Sequence, residues 1–192
     1  MPTNLIRVTE SIGYFKTEPF MKWREKVGKR EANLIAKRAE VTGNRVDEII
    51  KSGNYETLPK DNKAVRNCIQ AFLKWKERYQ VGTLIIPERL TDEAIGLTGH
   101  PDLFWQEQEE VIDIKCTKQI WPEHFFQLGG YKRLGIPARK ASILRLDQET
   151  AEPEPISCEK LGFTIDMLVD AFESNFKHYQ YYTCIEKRLK GE

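Results

Sequence analysis

Apolar residues recur three or four positions apart in several long stretches of the chain, which is the spacing of one face of an amphipathic helix. Thr17 and Thr164 stand just before two of these stretches, where a side-chain oxygen can cap the first turn. Pro122 opens another stretch, and proline is favoured in the first turn of a helix. We predict a short capped segment over residues 9–14 and helices over 18–27, 30–51 and 61–79, from Pro122 to Gly135, and after Thr164.

A different pattern occupies the middle of the chain. Residues 97–105 and 109–116 are rich in apolar and β-branched side chains, which favour strands, and a polar tetrapeptide joins them. Residues 141–146 predict a further strand. The prolines within residues 149–155 predict a loop without regular structure.

Helices before and after a short mixed β-sheet predict an α/β fold. With 192 residues the chain is long enough to bury a core as a single domain, residues 1–192. Within it we expect a helical part at about 1–80, a hairpin and helix at about 84–136, and a last strand and helix at about 140–190.

The composition narrows the class of protein. The 40% hydrophobic and 31% charged residues are typical of a soluble globular chain, and no apolar run reaches the length of a membrane span. The first residues lack the apolar core of a signal peptide. The four cysteines stand singly, which disfavours a disulfide framework or zinc ribbon and fits a reducing, cytoplasmic location.

Two acids and a lysine stand together on the predicted hairpin. If the polar tetrapeptide is the hairpin loop, Asp102 lies opposite Asp113, and cross-strand side chains are about 5 Å apart at Cβ. Lys115 follows Asp113 by two positions, so both side chains lie on one face of the strand. Two carboxylates at this separation can share one Mg²⁺ or Mn²⁺ ion. As an alternative, Asp102 is a turn residue and the Asp-x-Lys sequence an ordinary surface pair.

The residues around this cluster suggest phosphodiester hydrolysis. Lys115 could stabilise the negative charge of the transition state, or position or deprotonate the attacking water, and the sequence does not choose between these roles. Gln127 and Tyr131 are four apart on a predicted helix, hence on one face, and could hold the substrate. A tyrosine at such a position is more often part of the core.

The succession of acid, acid, lysine and Gln-x-x-x-Tyr resembles the PD-(D/E)xK nuclease superfamily and, within it, the RecB-like exonuclease branch. The similarity runs from about Glu88 to Tyr131. It implies a restriction-endonuclease-like core and a metal-dependent exonuclease that acts on single-stranded DNA or linear DNA ends, in DNA repair, recombination or phage replication. The implied metal ligands are Asp102, Asp113 and the backbone carbonyl of Ile114.

The resemblance also suggests roles for residues outside the hairpin. Relatives often carry Gly-x-x-Val-His on an earlier helix, and here the corresponding stretch ends at Asp47, which would replace the histidine as an oxygen ligand. The alternative is that Asp47 belongs to a solvated pair with Glu48. We expect Gly43 to let this helix approach the sheet closely. Glu88 looks like a structural or second-shell glutamate of this branch. His100 is expected to neighbour the metal site rather than to bind it. The late group of three cysteines that holds an iron–sulfur cluster in some relatives is missing, so no such cluster is expected.

Charge is unevenly distributed although the net charge is only +1. Residues 16–38 contain eight basic and three acidic residues, whereas residues 147–173 contain eight acidic residues and one basic residue. This polarity indicates that DNA phosphate approaches from the N-terminal side, unless these are ordinary solvated helix faces. Two other functions remain open: a non-catalytic nucleic-acid-binding or assembly module, and a structure-specific endonuclease. The sequence makes no prediction about oligomeric state.

Overall fold

A computed structural model describes residues 5–14 and 18–191. The strands are β1 (Ile6–Arg7), β2 (Leu84–Ile85), β3 (Leu90–Asp92), β4 (Leu97–Gly99), β5 (Leu103–Trp105), β6 (Glu110–Lys115), β7 (Lys140–Leu146) and β8 (Pro153–Ser157). The helices are α1 (Val8–Tyr14), α2 (Glu18–Val27), α3 (Lys29–Ser52), α4 (Lys63–Arg78), α5 (Pro122–Arg133) and α6 (Ile165–Lys190). Across the described ranges, no helix is both long and apolar enough to cross a membrane.

The strands form two mixed sheets. The larger sheet has the order β2-β5-β6-β7-β8, and the smaller has the order β1-β4-β3. β6 and β7 are parallel, and helix α5 lies between them in sequence, as a parallel connection requires. The predicted α/β fold, with a short mixed sheet flanked by helices, is confirmed.

The large sheet separates two hydrophobic cores, because alternate residues of its central strands face opposite sides. Val111 packs in the core formed with α1, α5 and α6, whereas Ile112 packs in the core formed with α3 and α4. Phe172 is fully buried in the first core and Phe72 in the second. A central strand covered on both faces is therefore held rigidly, and β6 carries the predicted Asp-x-Lys sequence at its end.

The helix boundaries follow local capping. Thr164 accepts a hydrogen bond from Met167 N and starts α6, as predicted. Helix α4 begins two residues later than the predicted start at Asp61, because Asn62 caps it by accepting from Val65 N. The predicted role of Thr17 at the start of α2 lies outside the described residues.

The predicted strand over residues 97–105 is wrong in its continuity. It is two strands, β4 and β5, which belong to different sheets. His100, Pro101 and Asp102 separate them, and Pro101 has no N–H to donate to a ladder. Because of this break, Asp102 lies outside both sheets, directly before the start of β5.

The predicted loop over residues 149–155 is also wrong in its second half. Pro153 and Pro155 belong to β8, which pairs antiparallel with β7. β8 is the last strand of its sheet, and an edge strand tolerates proline because the missing N–H leaves no central hydrogen bond unmade.

A glycine explains why α5 packs closely against α6, whereas Gly43 of α3 has no such role. A Cβ on Gly129 would lie 2.1 Å from the carbonyl oxygen of Leu168, so only glycine lets α5 lie against α6 at this point. A Cβ on Gly43 would meet nothing within 4 Å. The expectation that Gly43 permits a close approach of its helix is therefore wrong.

Candidate functional site

A cavity of about 430 Å³ opens where α3, the end of β6 and α5 converge. Helix α3 contributes Asp47, and the break after β4 contributes His100 and Asp102. The other predicted site residues on its wall are Asp113, Ile114, Lys115, Gln127 and Tyr131. Residues that lie far apart in sequence are thus brought to one place.

The hairpin register places the two acids as predicted. Leu103 pairs with Ile112, and continuing this antiparallel register by one position sets Asp102 opposite Asp113. Asp102 Oδ2 accepts a hydrogen bond of 2.7 Å from Ile114 N, which fixes the side chain across the end of β6. The proximity of the two carboxylates follows from the strand pairing itself.

Both acids lie in surroundings that disfavour their charge. Burial and the neighbouring charge of Asp113 raise the pKa of Asp102 to about 7. Burial raises the pKa of Asp113 as well, against the opposing effect of Lys115. Because these pKa values are raised, the two acids hold their protons to a higher pH in the metal-free cavity than they would in water. A bound cation would instead favour their ionised forms.

A chain of polar contacts joins β6 to α5. Lys115 Nζ lies 2.5 Å from Asp113 Oδ2 and donates a hydrogen bond of 3.1 Å to Gln127 Oε1. Gln127 Nε2 in turn donates to the hydroxyl of Tyr131 at 2.5 Å. The four residues act as one unit, and the predicted helical pair is connected to the lysine.

The electrostatics keep Lys115 charged and Tyr131 neutral. Burial works to lower the pKa of Lys115, but the charges of Asp113 and Asp102 outweigh it, and the pKa is raised. Burial first, and then the charge of Asp113, raise the pKa of the Tyr131 hydroxyl well above its usual value. The unit therefore offers an ammonium and a phenol hydroxyl.

Helix α5 is anchored at its start by a neutral histidine. Burial, and then the charge of Lys115, lower the pKa of His124 to about 3. Its Nδ1 can therefore accept the hydrogen bond of 3.2 Å from Trp121 N. This contact fixes the turn from which Gln127 and Tyr131 extend into the cavity.

Asp113 is the residue that fits a cation best. Within residues 5–14 and 18–191, the ammonium of Lys115 lies 2.5 Å from Oδ2, whereas Oδ1 is buried without a hydrogen-bond donor. A buried carboxylate oxygen without a donor is costly, and a bound cation would compensate that cost. Asp102 beside it and the carbonyl of Ile114 would complete a set of hard oxygen ligands, which suits Mg²⁺ or Mn²⁺.

Asp47 is in the cavity but is held by another partner. Lys51 Nζ lies 2.9 Å from Asp47 Oδ2 and 3.3 Å from His100 Nδ1. Over the part of the chain that the structure describes, no three His, Cys, Asp or Glu side chains lie close enough to hold a metal ion together. The sequence reasoning missed Lys51, which its position four residues after Asp47 could have revealed.

Glu88 lies apart from the site. It is exposed, it stands between β2 and β3, and it does not line the cavity. The structure therefore gives no contact that would support its expected second-shell role, whereas His100 does neighbour the acids on the cavity wall.

A second pocket of about 250 Å³ adjoins the cavity through Thr9, His100 and Tyr131. Arg7 and Arg89 line it, and none of its lining residues is acidic. In the described ranges neither arginine forms an ion pair with a carboxylate. The acidic cavity and this basic pocket are therefore adjacent but opposite in charge.

No protein-family model and no curated protein matches the chain. Among solved structures, the complex of LHK-Exo with dAMP is similar with a TM-score of 0.51 at 14% identity, over 98% of this chain and 94% of that chain. An alkaline exonuclease (LHK-Exo) from Laribacter hongkongensis has a TM-score of 0.46 at 12% identity, over 97% and 95% of the two chains. A phage related exonuclease from Haemophilus somnus 129PT has a TM-score of 0.49 at 15% identity, over 96% of each.

The first of these similarities shows a shared fold. The chain is an α/β protein of the type found in these nuclease structures, and at 14% identity the likeness extends to the fold alone. What the chain does must be argued from the cavity.

Proposed function

We propose that the chain is a metal-dependent DNA nuclease of the PD-(D/E)xK type. The observation that carries the proposal is Asp113, a buried carboxylate that faces Asp102 and is paired with Lys115 through Oδ2. Its Oδ1 has no hydrogen-bond donor among the described residues. The connection of this lysine to Gln127 and Tyr131 supports the proposal, because one chain of contacts joins the second acid, the lysine and the helical pair of the predicted motif.

In this proposal Asp102, Asp113 and the carbonyl of Ile114 hold one Mg²⁺ or Mn²⁺ ion. Such an ion polarises the phosphoryl group and lowers the pKa of a bound water. The buried carboxylates contribute charge, and Ile114 N holds Asp102 in place through its hydrogen bond. Asp47 joins as a further oxygen ligand only if it exchanges its ion pair with Lys51.

Lys115 acts as a cation in this mechanism. Burial works to lower the pKa of Lys115, but in the metal-free cavity the charges of Asp113 and Asp102 outweigh it. In this proposal the ammonium stabilises the negative charge that develops on the phosphate. Gln127 orients the ammonium by accepting a hydrogen bond from it, and the Tyr131 hydroxyl orients the Gln127 amide by accepting a hydrogen bond from Nε2. These two are positioning residues.

The substrate is a DNA strand, cut from its end in the manner of a RecB-like exonuclease. The pocket with Arg7 and Arg89 adjoins the cavity and would receive a phosphate of the strand. The shared fold with an exonuclease complex that contains dAMP supports this choice. Single-stranded or linear DNA, and a role in DNA repair, recombination or phage replication, belong to the same proposal.

The test is degradation of linear and circular DNA of the same sequence by the wild-type protein with Mg²⁺, Mn²⁺ or EDTA. We expect metal-dependent release of nucleotides from the linear forms and none from covalently closed circles. Cutting of circles would make the protein an endonuclease. If no form is degraded with either metal, the proposal of a nuclease fails, and the protein is better described as a non-catalytic nucleic-acid-binding module.

A further inference from the structure

Helix α2 and the first part of α3 form an extension of the fold, residues 20–38, which we call the arm. Its aromatic side chains are only partly buried: the Phe20 ring lies 5.7 Å from that of Trp23 and 6.1 Å from that of Trp121, which precedes α5. All three rings keep exposed surface. The arm thus presents an aromatic cluster that is completed by the start of the helix carrying Gln127.

The same arm carries basic residues without acidic partners. Arg24 makes a hydrogen bond to Asn33, an amide rather than a carboxylate. Elsewhere, exposed cations such as Lys118 and Arg139 are in ion pairs. Among the described residues, six basic side chains of the arm form no ion pair with a carboxylate: Arg24, Lys26, Lys29, Arg30, Lys37 and Arg38.

The arm is connected to the cavity in two ways. Helix α3 continues without a break from the arm to Asp47 and Lys51, which line the cavity. Trp121, whose ring contacts Phe20 of the arm, is followed after six residues by Gln127, which also lines the cavity. A ligand lying on the aromatic cluster is therefore on a surface continuous with the proposed reaction site.

We propose that the arm binds the unpaired bases of single-stranded DNA, which stack on Trp23, Phe20 and Trp121 while the basic residues contact the phosphates. Partly exposed aromatic rings, beside the six basic residues that form no ion pair with a described carboxylate, match the two chemical features of a single strand, its base faces and its backbone charge. The proposal rests on the proposed function only in that the strand continues into the cavity.

Duplex DNA does not fit this surface equally well. In a duplex the base faces are stacked inside the helix, so the aromatic rings cannot reach them, whereas the phosphates remain accessible. The basic residues therefore contribute to binding of both forms, and the aromatic cluster contributes to single strands alone. If the Phe20–Trp121 contact served only to attach α2 to the core, loss of a ring would not distinguish the two forms.

The experiment is fluorescence anisotropy with labelled oligothymidine and a blunt duplex of equal length, in EDTA so that no cleavage occurs. Trp23→Ala should weaken single-strand binding roughly tenfold and duplex binding less than about twofold. Trp23→Phe should retain most of the affinity. Tyr181→Ala is the matched control, since Tyr181 is 71% exposed on α6, outside the arm.

The basic residues are tested through salt dependence. Arg30→Gln should lower the slope of log K against log salt by about 0.7 for the single strand. Arg139→Gln, an exposed arginine paired with Glu109, should leave the slope unchanged. Melting temperatures of all variants establish that they are folded.

Equal weakening of single-strand and duplex binding by Trp23→Ala, or no weakening at all, would overturn the stacking proposal. The failure of a wild-type protein to bind oligothymidine would do the same. If the protein binds single strands as expected but degrades no DNA, the proposal for the arm stands and the proposal of nuclease activity fails. The two proposals can therefore fail separately.

Discussion

Asp113 is 1% exposed and lies beside a second carboxylate, and within the described chain its Oδ1 has no hydrogen-bond donor. Such a residue lowers the stability of the metal-free fold, because its charge has lost water and Oδ1 has gained no donor. Lys115 compensates in part. This arrangement is expected if the proposed cation binds here, because the cation would compensate the cost of the buried charge.

Asp102 gives the clearest dependence on pH. An acid whose folded pKa is about 7, against about 4 in the unfolded chain, binds more protons when folded, so its contribution favours folding below about pH 4 and is lost as the pH rises through 7. Because asparagine does not titrate, the Asp102→Asn variant does not lose this stability as the pH rises. Its side-chain oxygen can still accept the hydrogen bond from Ile114 N.

In EDTA we expect Asp102→Asn to melt several degrees above wild type at pH 8 and to show about a third of that difference at pH 5, because at pH 5 about one of the three pH units between the two pKa values has been crossed. Differential scanning calorimetry at the two pH values measures this. An equal difference at both values would show that the charge of Asp102 is not what destabilises the fold.

Lys115 can be tested against a neighbour on the same segment. Lys115→Ala should lower the rate of DNA cleavage by at least about a hundredfold, because the variant loses the ammonium that is proposed to stabilise the charge on the phosphate. Binding of Mn²⁺, measured by calorimetry, should remain. Lys118→Ala is the control, since Lys118 is 83% exposed and paired with Glu149. A Lys115→Ala rate within tenfold of wild type would remove the lysine from the mechanism.

At the scale of elements, local signals predicted most boundaries. The cap at Thr164 and the polar turn between β5 and β6 lie in short stretches of sequence, and this turn fixed the register that sets Asp102 opposite Asp113. The division of residues 97–105 between two sheets could not be read in this way, because it depends on pairing of β4 with the distant β1. β8 was missed for the same reason, as its position at a sheet edge is a property of the whole sheet.

Helix packing separates two glycines that look alike in sequence. Gly129→Ala should destabilise the protein by about 3 kcal/mol and lower its melting temperature by about 10 °C, because the new methyl group overlaps the Leu168 carbonyl. Gly43→Ala should raise stability by about 0.5 to 1 kcal/mol, since its Cβ meets no atom and alanine favours the helix. Urea denaturation measures both.

If Gly129→Ala proves as stable as wild type, α5 and α6 are not packed as closely as described, and the positions of Gln127 and Tyr131 come into question. If Gly43→Ala is destabilising, α3 lies nearer to the sheet than the structure shows.

At the scale of the whole molecule, the sequence predicted the α/β class, and the residues selected for the site, apart from Glu88, all lie on the wall of one cavity. Asp47, Asp102 and Gln127 come from three separate parts of the chain, yet they line one cavity. The contacts among them were beyond prediction. Lys51 bridges Asp47 and His100, and Phe20 reaches Trp121, only because distant elements pack together.

The most direct measurement is nucleotide release from end-labelled linear DNA by wild type and Asp113→Asn, side by side, with Mn²⁺ or with EDTA. The variant removes the charge that the proposed metal needs while nearly preserving the shape of the side chain. We predict rapid release by wild type with Mn²⁺, none with EDTA, and a loss of at least about a hundredfold in the variant. Release by wild type in EDTA, or by Asp113→Asn at the wild-type rate, would contradict the account.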